Sequence, residues 1–400
     1  MQQHVAPEAS GGMTREELIR RAEALAPVLA ARSEEAEHLR RCPDATVDDF
    51  IQNGLLKICQ PEKFGGWELG YDVLCEVVQT LARGCGSQAW VHMVLADNPL
   101  KLAAWSLEAQ HDVWGRSTDQ KLCVAVAAVG KAREVAGGVV WNAVHGFSSG
   151  IDHADWVICG GNIIREGKPP EGCFVVMPTK DVTIIDDWNV MGLVGSGSKS
   201  FEVKDVFVPK HRLVTKKDYD GGTAPGTLYY TSAVTKLPRG GVSAVSYSAA
   251  AVGVAEGFLA NYISSTATRK SRGHDVLGQP GIQMGVGISS AEIEAASRMY
   301  LGPIRECMET IARGEAYAQE KNLAGKRNAC WAAQMAMQAV SRLFNAAGGR
   351  ALYNSNVLQR QFRDCYAASA HHSLVWDTAA QGYGAFALEQ ARKAEDSGMK

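Results

Sequence analysis

Apolar residues recur every three or four positions along roughly the first 120 residues of the chain, which is the spacing of amphipathic helices. Segments with this spacing include TREELIRRAEALAPVLAARSEEAEHLRR, TVDDFIQNGLLKICQP and YDVLCEVVQTLARGCGSQAWVHMVLADNPLKLAAW. Thr14 is placed to cap the first helix, because its hydroxyl can accept from N–H groups of the first turn and Glu17 follows three residues later. We predict a helical domain over residues 14–120, after a disordered tail over residues 1–13.

The pattern changes over residues 121–215. Short segments rich in Val, Ile and Phe alternate there with turn residues, as in GGVVWNAV, WVICGGNII, GCFVVMPT, DVTIID and KSFEVKDVFVP. Such segments are typical of β-strands. Helical spacing then returns, most clearly in KRNACWAAQMAMQAVSRLFNAAGG, where Gly348 and Gly349 can end a helix. We predict a middle β-domain over residues 121–215 and a C-terminal helical domain over residues 216–400, an α+β fold.

Charge and composition narrow the classes of partner. The chain has 41 Lys and Arg against 43 Asp and Glu, and no basic run interleaved with aromatic residues, so nucleic acid is not expected to bind. No apolar stretch is long enough to enter a membrane and the first residues are polar, which favours a cytoplasmic protein. The ten cysteines are scattered without a CxxC pair, which predicts reduced, buried thiols and no metal site.

Five motifs follow one another along the chain in a fixed order. They are PEKFGGWELGY (61–71), WNAVHGFSSGIDHADW (141–156), DDWNVMGLVGSGSKSFEVKDVFVP (186–209), RGHDVLGQPGIQ (272–283) and FNAAGGRALYNSNVLQRQFRDCYAASAHH (344–372). Together they resemble the acyl-CoA dehydrogenase superfamily over nearly the whole chain. Within it, the chain looks most like the two-component flavin-dependent monooxygenases that hydroxylate aromatic compounds.

The resemblance implies an N-terminal helical domain, a middle β-barrel-like domain and a C-terminal four-helix bundle that builds a homotetramer. It also implies that a separate reductase supplies reduced FAD or FMN, which reacts with O₂ to a C4a-hydroperoxide. One oxygen atom then passes to a small aromatic or heteroaromatic substrate.

The resemblance also implies the residues that hold the flavin. They are Phe147, Ser148, Ser149, Trp188, Ser196, Gly197, Ser198 and Arg272. Phe147 matches an aromatic position beside the flavin, and Ser149 matches a hydroxyl at flavin N5, where it could accept from the N–H of the reduced ring. Ser148 could instead be a turn hydroxyl that bonds to its own backbone. Arg272 matches an arginine at the flavin phosphate, and the alternative for it is a solvated surface side chain.

An acid–base position separates branches of this superfamily. Dehydrogenases carry a glutamate shortly after an Arg-Asp pair, because abstraction of a proton next to a carbonyl needs a carboxylate. Here Arg363 and Asp364 are followed by CYAASAHHSLVW, which places His371 and His372 at that point. We predict that His371 manages a proton at the flavin and that His372 contacts the substrate. Two histidines that cap a helix end are the alternative.

The stretch VLADNPLKLAAW suggests the substrate class. Members that hydroxylate phenols carry a histidine at the position of Asn98, and asparagine can orient a substrate but cannot act as a base. Asn98 therefore favours indole-like, heteroaromatic or polycyclic ketone substrates over simple phenols. His92 could replace the missing base, or could be a core histidine.

Two other functions remain compatible with the sequence. One is an FAD-containing dehydrogenase of the acyl-CoA dehydrogenase type, which would purify as a yellow protein. The other is a catalytically silent homologue that acts as a ligand-binding or assembly subunit, which would bind neither oxidised nor reduced flavin.

Overall fold

The computed structural model describes residues 12–238, 240–241, 244–396 and 398. Most of the predicted tail, residues 1–11, lies outside these ranges. The predicted cap is confirmed, because the Glu17 N–H donates to the Thr14 hydroxyl over 3.2 Å. From residue 12 to the sheet, the structure has six α-helices: α1 (Arg15–Ala31), α2 (Ser33–Leu39), α3 (Asp44–Gln52), α4 (Tyr71–Ala82), α5 (Gly86–Leu102) and α6 (Leu107–Trp114).

The middle of the chain forms a mixed sheet. Its strands are β1 (Leu122–Val135), β2 (Gly138–Ser148), β3 (Trp156–Ile164), β4 (Glu171–Pro178), β5 (Thr183–Ile185), β6 (Lys199–Pro209) and β7 (Leu213–Thr215). The order across the sheet is β5-β6-β2-β1-β3-β4-β7, with β1 parallel to β3 and every other neighbouring pair antiparallel. The alternation of side chains buries Trp141 and Phe201 in the core of this sheet.

Helices return after the sheet. They are α7 (Lys216–Gly221), α8 (Val245–Ala267), α9 (Pro280–Ala312), α10 (Gln319–Ala346), α11 (Val357–Ser369) and α12 (Trp376–Asp396), with a hairpin of β8 (Lys270–Ser271) and β9 (His274–Asp275). Helices α8 to α11 pack on one another, and α12 lies against α10. The predicted order of helices, sheet and helices is therefore confirmed.

The two helical regions share one hydrophobic core, because α4 and α5 pack directly on α8. The approach is close at Gly253 of α8, where a Cβ would lie 2.2 Å from the Gln79 carbonyl oxygen. Helix α5 also packs against β1. Residues from all three parts of the chain therefore meet around α5.

Two features of the described residues bear on environment. All ten cysteines are buried and free, as predicted. Within the part of the chain that the structure describes, no helix combines the length and the apolar character needed to cross a bilayer.

Candidate active site

A chain of hydroxyl groups links the end of β2 to the loop before β6. The Trp90 indole N–H donates to the Ser149 oxygen over 3.0 Å, and Ser149 shares a 2.7 Å hydrogen bond with Ser198. Ser196 shares a second 2.7 Å hydrogen bond with Ser198. A serine oxygen has one proton and two lone pairs, so Ser149 keeps the capacity to accept one further hydrogen bond if it donates to Ser198.

Ser148, which is also among the predicted flavin contacts, faces the other way. Its side chain is fully buried, and its hydroxyl lies 3.5 Å from the Cys123 sulfur inside the sheet. The register of β2 against β6 shifts between His145 and Ser148, and such a bulge re-aims the side chains around it. The pattern of the sequence alone could not decide which of two adjacent serines faces out.

The bulge also exposes an aromatic ring. Phe147 has a positive φ of 58°, is 81% exposed, and meets the Trp188 ring edge to face at 6.0 Å. A non-glycine residue in this backbone region is strained and often lies at a functional site. Phe147 and Trp188 together present an apolar aromatic surface beside the hydroxyl chain.

The loop that carries Ser196 and Ser198 is fixed from α11. The Leu193 N–H donates to the Asp364 carboxylate over 2.7 Å, and the Arg363 guanidinium donates to the Met191 carbonyl oxygen over 2.7 Å. Burial raises the pKa of Asp364 to about 6. The Arg-Asp pair, which served only as a landmark in the sequence, therefore holds the glycine- and serine-rich loop in place.

His371 lies in a cluster of rings at the end of α11. It stacks on Tyr247 at 3.9 Å, meets the edge of Trp90 at 5.5 Å and contacts His372 at 4.3 Å. Its Nδ1 accepts from the Ser373 N–H over 3.3 Å. Burial, and then the neighbouring His372, lower the pKa of His371 to about 3. The imidazole is therefore neutral near pH 7, and its Nε2–H is available as a donor.

A cavity of about 210 Å³ opens where α5, the sheet, α8 and residues 372–373 meet. Its apolar lining includes Leu100, Trp105, Val124, Ile158 and Phe174. Its charged or ionisable lining includes Asp97, Lys101, Asp220 and His372. His372 thus reaches this cavity, whereas His371 lines a separate groove of about 420 Å³.

Asn98 and His92, which the sequence predicts as substrate contacts, lie outside the lining of this cavity. Asn98 is fully buried and donates to the Leu122 carbonyl oxygen over 2.9 Å, which ties α5 to the start of β1. His92 is also fully buried, with Nε2 3.0 Å from the Leu55 carbonyl oxygen and its ring against Phe50. Burial lowers the pKa of His92 to about 4, which is the behaviour of a core histidine.

Arg272 is the residue that the sequence predicts at the flavin phosphate. It is exposed at the tip of the β8–β9 hairpin with a positive φ of 50°. A cavity of about 800 Å³ does lie beside this hairpin, but the basic residues that line it are Arg269, Lys270 and Arg350. Arg272 thus fits the surface alternative that the sequence left open.

Two family models match the chain. The model described as the acyl-CoA dehydrogenase N-terminal domain matches residues 13–115, and the model described as the acyl-CoA dehydrogenase C-terminal domain matches residues 245–376. The two matches cover the helical regions on either side of the sheet.

Curated relatives match over most of their length. The oxygenase subunit HsaA of a flavin-dependent monooxygenase from Rhodococcus jostii (strain RHA1) is 34% identical over 356 residues, 88% of this chain and 93% of the relative. The oxygenase component of an FADH₂-dependent resorcinol hydroxylase from Rhizobium sp. (strain MTP-10005) is 30% identical over 384 residues, 93% of this chain and 94% of the relative.

A solved structure has the same fold. The crystal structure of 3-HSA hydroxylase from Rhodococcus sp. RHA1 matches with a TM-score of 0.90 at 33% identity, covering 93% of this chain and 97% of that chain. The acyl-CoA dehydrogenase-like fold predicted from the sequence is confirmed.

Proposed function

Because this chain belongs to the acyl-CoA dehydrogenase superfamily, and within it to the oxygenase components of flavin-dependent monooxygenases, we propose that its active centre is the junction of Ser149, Trp90 and His371 with the 210 Å³ cavity. The protein is a monooxygenase that uses reduced flavin and O₂ to hydroxylate an aromatic compound, and a partner reductase supplies the flavin. The relatives do not support the dehydrogenase alternative.

The single observation that carries the assignment is the position of Trp90. Its indole N–H binds Ser149 of the sheet region over 3.0 Å, while its ring contacts His371 of the C-terminal region at 5.5 Å. The residues predicted to act at the flavin from two distant parts of the sequence are thus joined through one buried side chain.

The residues present fit a flavin. The exposed ring of Phe147 and the half-buried ring of Trp188 offer an apolar surface to a flat ring system, and Ser149 offers a hydrogen-bond acceptor to an N–H on its edge. When bound, reduced flavin supplies the electrons that activate O₂. His371 would donate its Nε2–H to oxygen at that site without carrying a charge. The apolar lining of the cavity would keep water away from the reacting ring.

We also propose that the protein works in the cytoplasm as a homotetramer. The ten free thiols suit a reducing compartment. Met284 and Ile288 on α9 and Leu388 on α12 are exposed apolar side chains that an assembly could cover. Light scattering on the protein as it elutes from a size-exclusion column should give the mass of four chains, and the mass of a single chain would refute the tetramer.

A matched pair of variants tests the active centre. Ser149→Ala removes the acceptor, so the ratio of hydroxylated product to hydrogen peroxide should fall about fivefold, as expected for one hydrogen bond of roughly 1 kcal/mol. Ser148→Ala is the control, because its hydroxyl faces Cys123 inside the sheet. Equal effects in both variants, or none in either, would contradict the assignment. Binding of reduced flavin under anaerobic conditions is measured alongside.

A further inference from the structure

Helix α5 is buried along its whole length except at two charged residues. Fifteen of its 17 residues are buried, and the remaining two are Asp97 and Lys101. These residues are one helical turn apart and form an ion pair, with side chains only 15% and 21% exposed. Both line the 210 Å³ cavity.

Partial burial makes this ion pair a weak source of stability. Taking two charges out of water is expensive, and the attraction between them often does no more than offset that expense. The surrounding wall is apolar, with Leu100 between the pair on the same helix and Val124 and Phe174 on the facing strands. A built charged pair in such a wall is a feature that a polar group of the substrate can use.

The pair selects by charge and by hydrogen-bonding capacity. Asp97 can only accept and Lys101 can only donate, so a hydroxyl group, which does both, can bond to both at once. The pair is neutral as a whole, and the other carboxylate in the wall, Asp220, is paired with Lys216. A substrate carboxylate would therefore bring an unbalanced negative charge into the cavity.

We propose that Asp97 and Lys101 bind the hydroxyl group of a neutral phenolic substrate, with Asp97 accepting from the O–H and Lys101 donating to its oxygen. This assignment rests on the proposed function and names the substrate class of that site. The hydrogen bond to Asp97 increases electron density in the aromatic ring, which favours hydroxylation. It gives the cavity a proton acceptor that Asn98 cannot provide, and it reverses the preference for indole-like substrates that depended on Asn98.

Four simple ring compounds separate the contributions. Phenol can bond to both residues, indole can donate to Asp97 alone, anisole retains only an acceptor, and benzoate carries a charge. The affinity of each compound for the flavin-free protein is measured by titration calorimetry. We expect phenol to bind most tightly, indole next and anisole roughly tenfold or more below phenol, as charged hydrogen bonds predict. Benzoate should bind poorly.

Substitutions then assign the effect to the pair. Asp97→Asn should weaken phenol roughly tenfold and strengthen benzoate, because the negative charge is removed. The double variant Asp97→Leu with Lys101→Met leaves neither a charge nor a hydrogen-bonding side chain at the two positions, so it also serves where the single variant is unstable. It should bind phenol and anisole equally. Glu294→Gln, which breaks the exposed Glu294–Arg298 pair on α9, is the control and should leave every affinity unchanged.

The outcomes separate this assignment from the proposed function. If the wild-type protein binds phenol no better than anisole, or if the double variant keeps the preference for phenol, Asp97 and Lys101 do not bind a hydroxyl group. Either result leaves the proposed function intact as long as the same samples bind reduced flavin and consume O₂, which are measured in parallel. Failure of the wild-type protein to bind reduced flavin would instead overturn the proposed function.

Discussion

His145 should make the protein sensitive to mild acid. Its imidazole is fully buried in the sheet, stacked between Trp141 at 6.3 Å and Phe201 at 5.1 Å. Neither ring nitrogen has a hydrogen-bond partner among the described residues. Burial lowers the pKa of His145 from its ordinary 6.5 to about 4, because the charged form would lie in the apolar core.

The sign and size of the effect follow from the difference between the folded and unfolded chains. As the pH falls below about 6.5, the unfolded chain takes up a proton at this histidine and the folded chain does not, so the free energy of unfolding decreases. With pKa values of 6.5 and about 4, the loss between pH 7 and pH 5 is about 2 kcal/mol. The loss of unfolding free energy is complete only at a pH below the pKa of His145 in the folded chain.

His145→Phe keeps a stacked ring and removes the titrating group. The free energy of unfolding is measured in urea for the variant and the wild-type protein at one protein concentration. Between pH 7 and pH 5, the variant should gain about 2 kcal/mol relative to the wild-type protein. His274→Gln, on the exposed β8–β9 hairpin, should follow the wild-type protein at both pH values. A pH-independent difference for His145→Phe would show that the folded protein protonates this imidazole without penalty.

Three further substitutions test the active centre. Trp90→Phe keeps a ring but removes the N–H donor, so the ratio of product to hydrogen peroxide should fall about fivefold, as for loss of Ser149, whereas an unchanged ratio would separate the two residues. His371→Gln should retain more turnover than His371→Asn at equal affinity for reduced flavin, because only glutamine places an N–H near the Nε2 position. The reverse ranking in steady-state assays would assign the role to Nδ1. Gly192→Ala places a Cβ 2.1 Å from a backbone oxygen of α11, so reduced flavin should bind more weakly by roughly 1–3 kcal/mol in anaerobic dialysis. Gly287→Ala, in open space on α9, should bind flavin normally, and equal behaviour of both variants would contradict the role of the loop.

The sequence predicts strands well where they have the usual composition. WVICGGNII and KSFEVKDVFVP coincide with β3 and β6, because their β-branched and aromatic residues suit a pleated, half-buried surface. Strand β1 was not among the predicted strands, since LCVAVAAVGKAREV is rich in alanine and its later half is largely exposed. Its place is set by pairing with β2 and β3, which no local pattern encodes.

The residues of the proposed active centre differ in how well the sequence alone identifies them. Ser149 and His371 stand next to turns, where functional side chains are common, and the motifs predict both of them. Trp90 looks like an ordinary core residue of α5, and only the folded chain shows that it contacts both. Asp364 accepts from the Leu193 N–H across 171 residues of sequence, a separation that hides the contact from any local pattern.

Asn98 lies outside the cavity lining for a physical reason, and that reason shows which feature of the sequence marks the lining instead. Helical periodicity identifies a functional face only when one side of the helix is polar, and α5 is buried on nearly every side. The periodicity therefore does not show which face of α5 lines the cavity, and a residue next to a lining residue is as plausible a candidate as the lining residue itself. Charge does give a direction, because ionised side chains are rarely fully buried unless they are paired. Asp97 and Lys101 are the only charged residues of α5, and their i,i+4 spacing puts both on one face and within reach of each other. The two charged residues, one position before Asn98 and three after it, therefore indicate which face of α5 opens to the cavity.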